Sequence, residues 1–135
     1  MKKQKGFTII ELIVVIAIIA VLAAIVLVNV TSYIAKSRDA AIKGNMATIA
    51  TNAAVYFDGQ SPTTYVGFIT NGTYLTPAAA ITSAGGTVGT PQATASAFCV
   101  SATLNDGSSW CVDSTGYKGT TANCDAGTAD CAADT

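Results

Sequence analysis

Histidine is absent from this 135-residue chain, and glutamate occurs once, at Glu11. Without an imidazole, and with so few carboxylates of that reach, general acid–base chemistry has little to work with, so no enzyme is expected. Charge is scarce too: charged side chains make up 11% of the residues, and Lys2, Lys3 and Lys5 are three of the seven basic ones. Beyond that cluster four basic side chains face eight acidic ones. No basic patch remains to neutralise a run of phosphates, so direct nucleic-acid binding is not expected. Cysteine is missing before Cys99, and large apolar side chains thin out after the first half of the chain. A domain with so small a core ordinarily needs covalent staples.

What is present begins with a short basic opening, MKKQKG, followed by an apolar run over residues 7–28 broken only by Thr8 and Glu11. As a helix this run spans roughly 33 Å at 1.5 Å per residue, enough for a hydrocarbon core of ~30 Å. By the positive-inside tendency the lysines hold the N-terminus in the cytoplasm, and the rest is exported. An ordinary secretory signal peptide has a shorter apolar region and no internal carboxylate, so that reading, with cleavage near Ala20–Ala24, ranks below a spanning helix.

Residues 29–58 contain no proline and one glycine, Gly44. Ile42, Met46, Ile49, Ala53 and Tyr56 recur at helical spacing and form one apolar stripe. Lys36, Arg38, Asp39, Lys43, Asn45 and Asn52 are assigned to the opposite face. The helix is expected to end at Asp58, Gly59 and Pro62, with glycine in a left-handed cap. From there to about Ala97 the composition reads as a long connecting loop with short strands near Tyr65–Ile69. The segments 98–104 and 109–113 alternate around Asn105, Asp106, Gly107 and Ser108, which predicts a hairpin.

The fold class that follows is α+β: a long N-terminal helix, apolar in its first half, on a small antiparallel sheet with a cross-linked C-terminal region. Its divisions are a leader at 1–6, a membrane or filament-core half-helix at 7–28, an amphipathic half at 29–58, and a small β domain with its connecting loop at 59–135. The cysteines Cys99, Cys111, Cys124 and Cys131 suggest disulfides in an oxidising compartment. Reduced thiols or a zinc site are the alternative, without a CxxC pair or a histidine to support it. Pairing Cys99 with Cys111 across the hairpin and Cys124 with Cys131 around a small flexible loop is expected, although a turn centred on Asp106 and Gly107 does not set Cys99 directly opposite Cys111. No cofactor and no metal are expected. Asp106, Asp113, Asp125, Asp130 and Asp134 offer oxygen ligands but no calcium spacing, and they read as solvated turn residues. Phe98, Trp110 and Tyr117 are assigned to the core.

The residues GFTIIELIVVIAIIAVLAAI, Gly6 to Ile25, closely resemble the N-terminal signature of type IV pilins and pseudopilins. The resemblance implies a precursor cut by a prepilin peptidase between Gly6 and Phe7, methylation of the new Phe7 amine, and an assembly role for Glu11. It implies a homo-oligomeric helical filament as partner, together with the pilus or secretion assembly machinery and the membrane. The precursor then resides in the cytoplasmic membrane and the product on the cell surface. A major pseudopilin of a type II secretion system and a membrane-anchored exported binding domain are the alternatives. Independently of the resemblance, a carboxylate inside an apolar spanning segment costs ~2.5–3.5 kcal/mol and marks a functional site by default. A Glu that snorkels to the interface is the plain alternative. Many family members carry a proline where this chain has Val28, so a break in the helix there is not obligatory.

Overall fold

Fifty residues without a proline form one α-helix, α1, Ile9–Asp58. The computed structural model describes residues 6–120 and 124–131. The leader lysines Lys2, Lys3 and Lys5 and the acidic Asp134 lie outside the described residues. The chain divides into two units, Met1–Ile34 and Ala35–Thr135.

In the first unit α1 is apolar all round, and Phe7, Ile9, Ile10 and every large apolar side chain from Leu12 to Val28 are exposed. No break occurs at Val28. Asn29 instead donates from Nδ2 to the Ile25 carbonyl at 3.2 Å, and Thr31 Oγ1 to the Val28 carbonyl at 3.0 Å. Polar side chains that fold back onto helix carbonyls this way satisfy themselves without leaving the helix.

In the second unit the stripe falls where the periodicity puts it: Ile42, Met46, Ile49 and Ala53 are wholly buried. Asp39 corrects the assignment of the polar face. It sits one turn before Ile42 on the same stripe and is buried, its Oδ1 accepting from the Asn105 N–H at 2.7 Å and from Asn105 Nδ2 at 2.9 Å. The helix does end at Asp58, but Gly59 is not among the glycines at positive φ. Its N–H reaches back to the Val55 and Tyr56 carbonyls at 3.1 and 3.2 Å and closes the end without a left-handed residue.

The expected long loop is largely ordered structure. A short 3-10 turn, Phe68–Thr70, precedes a second helix, α2, Gly72–Ser83, and no strand forms at Tyr65–Ile69. Asn71 caps α2, its Oδ1 accepting from the Thr73 N–H at 2.9 Å. Pro77 lies inside α2 and has no N–H for the Thr73 carbonyl four residues back. Asn52 of α1 supplies that missing donor, Nδ2 to Thr73 O at 2.7 Å.

Among the described residues the sheet has five antiparallel strands: β1 Thr87–Val88, β2 Gln92–Ala93, β3 Phe98–Thr103, β4 Ser109–Asp113 and β5 Lys118–Gly119. β3 and β4 pair as the expected hairpin, with β1 and β2 on the outer side of β3 and β5 on the outer side of β4. Gly107 closes the turn at φ 85, a conformation that glycine adopts without steric cost. At Gly86 a Cβ would come within 2.8 Å of Ile42 Cδ1 and 3.1 Å of the Thr103 carbonyl, so only glycine lets the chain after α2 lie this close to α1 and β3.

Phe68 is the centre of the core. It lies 5.5, 5.7 and 5.8 Å, ring centre to ring centre, from Tyr56, Tyr74 and Phe98, and Tyr65 bridges Phe98 at 5.1 Å to Phe57 at 4.5 Å. Phe98 is a core residue as expected, and Trp110 is half-buried beneath the Lys43 ammonium, 4.7 Å from the ring centre. Tyr117 departs from the expectation, since it is 40% exposed.

Disulfide connectivity is the clearest correction. The structure joins Cys99 to Cys124 and Cys111 to Cys131, in place of Cys99–Cys111 and Cys124–Cys131. The ladder pairs Cys99 with Asp113 and Ser101 with Cys111, so the two hairpin cysteines are diagonal neighbours on one face rather than direct partners. Both sulfurs therefore point to the same side, where the C-terminal segment brings in Cys124 and Cys131. Each arm of the hairpin is bonded to the tail, which has almost no other apolar group to hold it.

Candidate functional site

Helix α1 starts where its first free N–H groups find acceptors. Thr8 stands just before the first helical residue, and Glu11 is the third residue of the helix. Glu11 Oε2 accepts from the Thr8 N–H at 2.9 Å and from Thr8 Oγ1 at 2.7 Å, while Thr8 Oγ1 lies 3.3 Å from the Glu11 N–H and accepts from it. This reciprocal arrangement is a capping box, and the pattern T-x-x-E immediately before an apolar run was its signal in the sequence. The carboxylate also lies at the positive end of the helix dipole.

Only one of the two Glu11 oxygens is used in this way. Among the described residues Oε1 has no hydrogen-bond donor, and no basic group pairs with it. Phe7, one residue before the cap, is 86% exposed. A Cβ at Gly6 would meet nothing within 4 Å, so the fold of this chain makes no demand for glycine at that position. The residues singled out for processing and assembly thus lie together at the free start of an exposed apolar helix. Glu11 has a local structural duty there that the sequence reading did not assign.

The acidic residues considered for calcium separate into different roles. Asp106 is exposed, and its Oδ1 accepts from Ser108 Oγ at 2.6 Å and from the Ser108 N–H at 2.8 Å. Those bonds lower its pKa from the ordinary value, hydroxyl first, with a smaller contribution from Lys43. Asp125 holds a turn through the Gly127 N–H at 2.7 Å. Asp113 is buried. Its Oδ1 accepts from the Thr115 hydroxyl and from the N–H groups of Thr115 and Tyr117, and its Oδ2 from the Cys131 N–H at 2.9 Å. Burial raises the Asp113 pKa, but those hydrogen bonds outweigh it and leave the pKa lowered. Four donors saturate this carboxylate, which acts as a clamp on the tail.

The family model of the prokaryotic N-terminal methylation motif matches residues 1–27. Over 63 residues the chain is 41% identical to the type IV major alpha-pilin of Moraxella bovis, and over 63 residues 42% identical to fimbrial protein Q of the same organism. Each match covers 46% of this chain and 40% of the relative, so the chain spans less than half the length of the curated relatives it matches. No solved structure matches.

Proposed function

We propose, from the methylation motif matched over residues 1–27 and the similarity of 63 residues to a type IV pilin and a fimbrial protein, that the chain is a non-enzymatic structural subunit of a type IV pilus-like filament. It enters the cytoplasmic membrane as a precursor, is cut by a prepilin peptidase between Gly6 and Phe7, and is methylated on the Phe7 amine. The apolar half of α1 then passes from lipid into the core of the filament, and the C-terminal unit faces outward. The observation that carries this reading is Glu11 at the start of the helix, one carboxylate oxygen held by the cap and the other without a partner among the described residues, on a helix whose large apolar side chains are exposed.

In a bundle of such helices the new Phe7 ammonium of a neighbouring copy supplies a positive partner for the second oxygen. The attraction is stronger in a low-dielectric bundle than in water, and an unpaired carboxylate there is costly, so the pair selects the axial register in which it forms. Capping and pairing are compatible because they use different oxygens. The pilin and fimbrial names of the relatives favour a surface pilus over a secretion pseudopilus.

Two measurements test the proposal. Mass spectrometry of the N-terminal peptide is expected to find a chain that starts at methylated Phe7; a start near Ala24 would reject the assignment. Electron microscopy of material sheared from cells is expected to show filaments built of this chain, and their absence favours a pseudopilin or a plain anchored domain.

A further inference from the structure

The two disulfides form a single four-sulfur cluster. Besides its bonded partner, Cys99 Sγ lies 3.4 Å from Cys111 Sγ and 3.6 Å from Cys131 Sγ, and Cys111 Sγ lies 3.9 Å from Cys124 Sγ. The sulfurs of Cys99, Cys111 and Cys131 are all within 4.8 Å of one another, and these three residues are at most 2% exposed. In a tetrahedral thiolate centre with metal–sulfur bonds of ~2.3 Å, sulfurs stand about 3.8 Å apart. Three of the four non-bonded edges are already close to that length, so a tetrahedral site asks the two bonded edges to open and the Cys124 sulfur, which lies outside the close group of Cys99, Cys111 and Cys131, to shift relative to Cys131.

The backbone that carries these sulfurs does not depend on the S–S bonds alone. Cys99 and Cys111 are fixed by the β3–β4 ladder. The Cys131 N–H is held by Asp113 Oδ2. The segment from Cys124 is turned back by the bonds from Asp125 N–H to the Asp130 carbonyl at 3.1 Å and from Ala129 N–H to the Asp125 carbonyl at 2.9 Å. Opening a bonded edge therefore asks for rotation about Cα–Cβ, with the strands left in place. The Asp113 carboxylate is saturated by its four donors and does not compete as a hard ligand.

We propose that, with its four cysteines reduced, the cluster of Cys99, Cys111, Cys124 and Cys131 is a tetrahedral thiolate site for a soft divalent cation of the zinc class. Four thiolates and no carboxylate or imidazole match zinc and exclude magnesium and calcium. The site exists in the chain before its thiols are oxidised, or after reduction. A phosphine reductant gives two electrons to each disulfide and becomes the phosphine oxide with oxygen from water, and the protons go to the thiols. Binding one zinc ion then releases four protons and leaves the metal tetrathiolate. Oxidation to the disulfides and metal binding are thus alternative ways to close the same cage around the tail.

The test uses the full chain in detergent, reduced by a water-soluble phosphine without oxygen and titrated with cobalt(II). Expected are one cobalt per chain, a sulfur-to-cobalt charge-transfer band with the visible bands of tetrahedral cobalt, and their loss when zinc is added. The oxidised chain is expected to show neither band. Cys131→Ser is expected to weaken cobalt binding by at least about tenfold, the low end of the loss from disturbing even an outer-shell group. An octahedral spectrum, a stoichiometry other than one, or an unchanged spectrum in Cys131→Ser would overturn the site. Because the unmutated chain gives the first readout, misfolding of a variant cannot hide a negative result.

Discussion

Glu11 has two duties, and one substitution can separate them. An amide at that position can still accept from the Thr8 N–H and hydroxyl, as glutamine does in capping boxes, but it carries no charge. Glu11→Ala removes both the carboxylate half of the capping box and the charge, and leaves the Thr8 hydroxyl to accept from the N–H of residue 11. If filament assembly requires the ion pair, Glu11→Gln and Glu11→Ala both insert and are cleaved, yet both lose filaments. Normal filament yield from the glutamine variant would assign Glu11 to capping alone. Asp113 gives a second test. Its lowered pKa means that the stability it contributes is fully present above the unfolded value of about 4 and is lost as pH falls through its lower folded value. Hydrogen exchange at the Cys131 N–H is therefore expected to accelerate only below about pH 4, and Asp113→Asn should remove that pH step; a step that persists would point to another carboxylate. Glu11 was legible in the sequence because a charge in an apolar run stands out. Asp39 and Asp113 were not, because their partners, Asn105 and Cys131, are brought to them only by the tertiary fold.

Among the elements, α1 and the hairpin could be read in advance, the first from an unbroken periodic stripe and the second from alternation around Asn105–Ser108. Helix α2 could not. Pro77 and the surrounding alanines and threonines read as a loop, and the missing Pro77 donor is replaced by Asn52, 21 residues away from Thr73 in sequence. The pairing of the cysteines was hidden for the same reason: the turn already showed that Cys99 is not directly opposite Cys111, but only the tertiary fold brings Cys124 and Cys131 to the hairpin. Asn52→Ala should cost about 1 kcal/mol, the typical net worth of one hydrogen bond, because Thr73 is exposed and water can take over the carbonyl. Chemical denaturation of the oxidised chain measures it. Phe68→Ala removes the ring on which three other aromatic rings meet, and the loss should be ~3–5 kcal/mol, the range for emptying a buried aromatic site. A loss below 1 kcal/mol would place the centre of the core elsewhere.

At the scale of the whole molecule, the two units have opposite relations to water. The second unit, Ala35–Thr135, has its own core of Ile42, Met46, Ile49, Phe68, Ile81, Phe98, Val100 and Val112, all at most 2% exposed, together with both disulfides. The first has no core among its described residues: its large apolar side chains from Phe7 to Ile34 are each 45% exposed or more. A continuous apolar surface of that kind is far beyond what a soluble monomer ordinarily exposes, and burying it is worth roughly 25 cal/mol for each Å² removed from water. On the proposed function, lipid covers it in the precursor and other copies of the same helix cover it in the filament. A chain that starts at Ala35 is therefore expected to be a soluble, disulfide-bonded monomer that neither sediments with membranes nor joins filaments, whereas the full chain needs detergent, lipid or assembly. Analytical ultracentrifugation in detergent-free buffer, with circular dichroism to confirm the fold, makes the comparison. Filaments formed by the shortened chain would move the assembly surface into the C-terminal unit. An unfolded shortened chain would show that the stripe around Ile42 and Met46 needs the preceding helix to form, because a helix start at Ala35 lacks the Thr8–Glu11 cap.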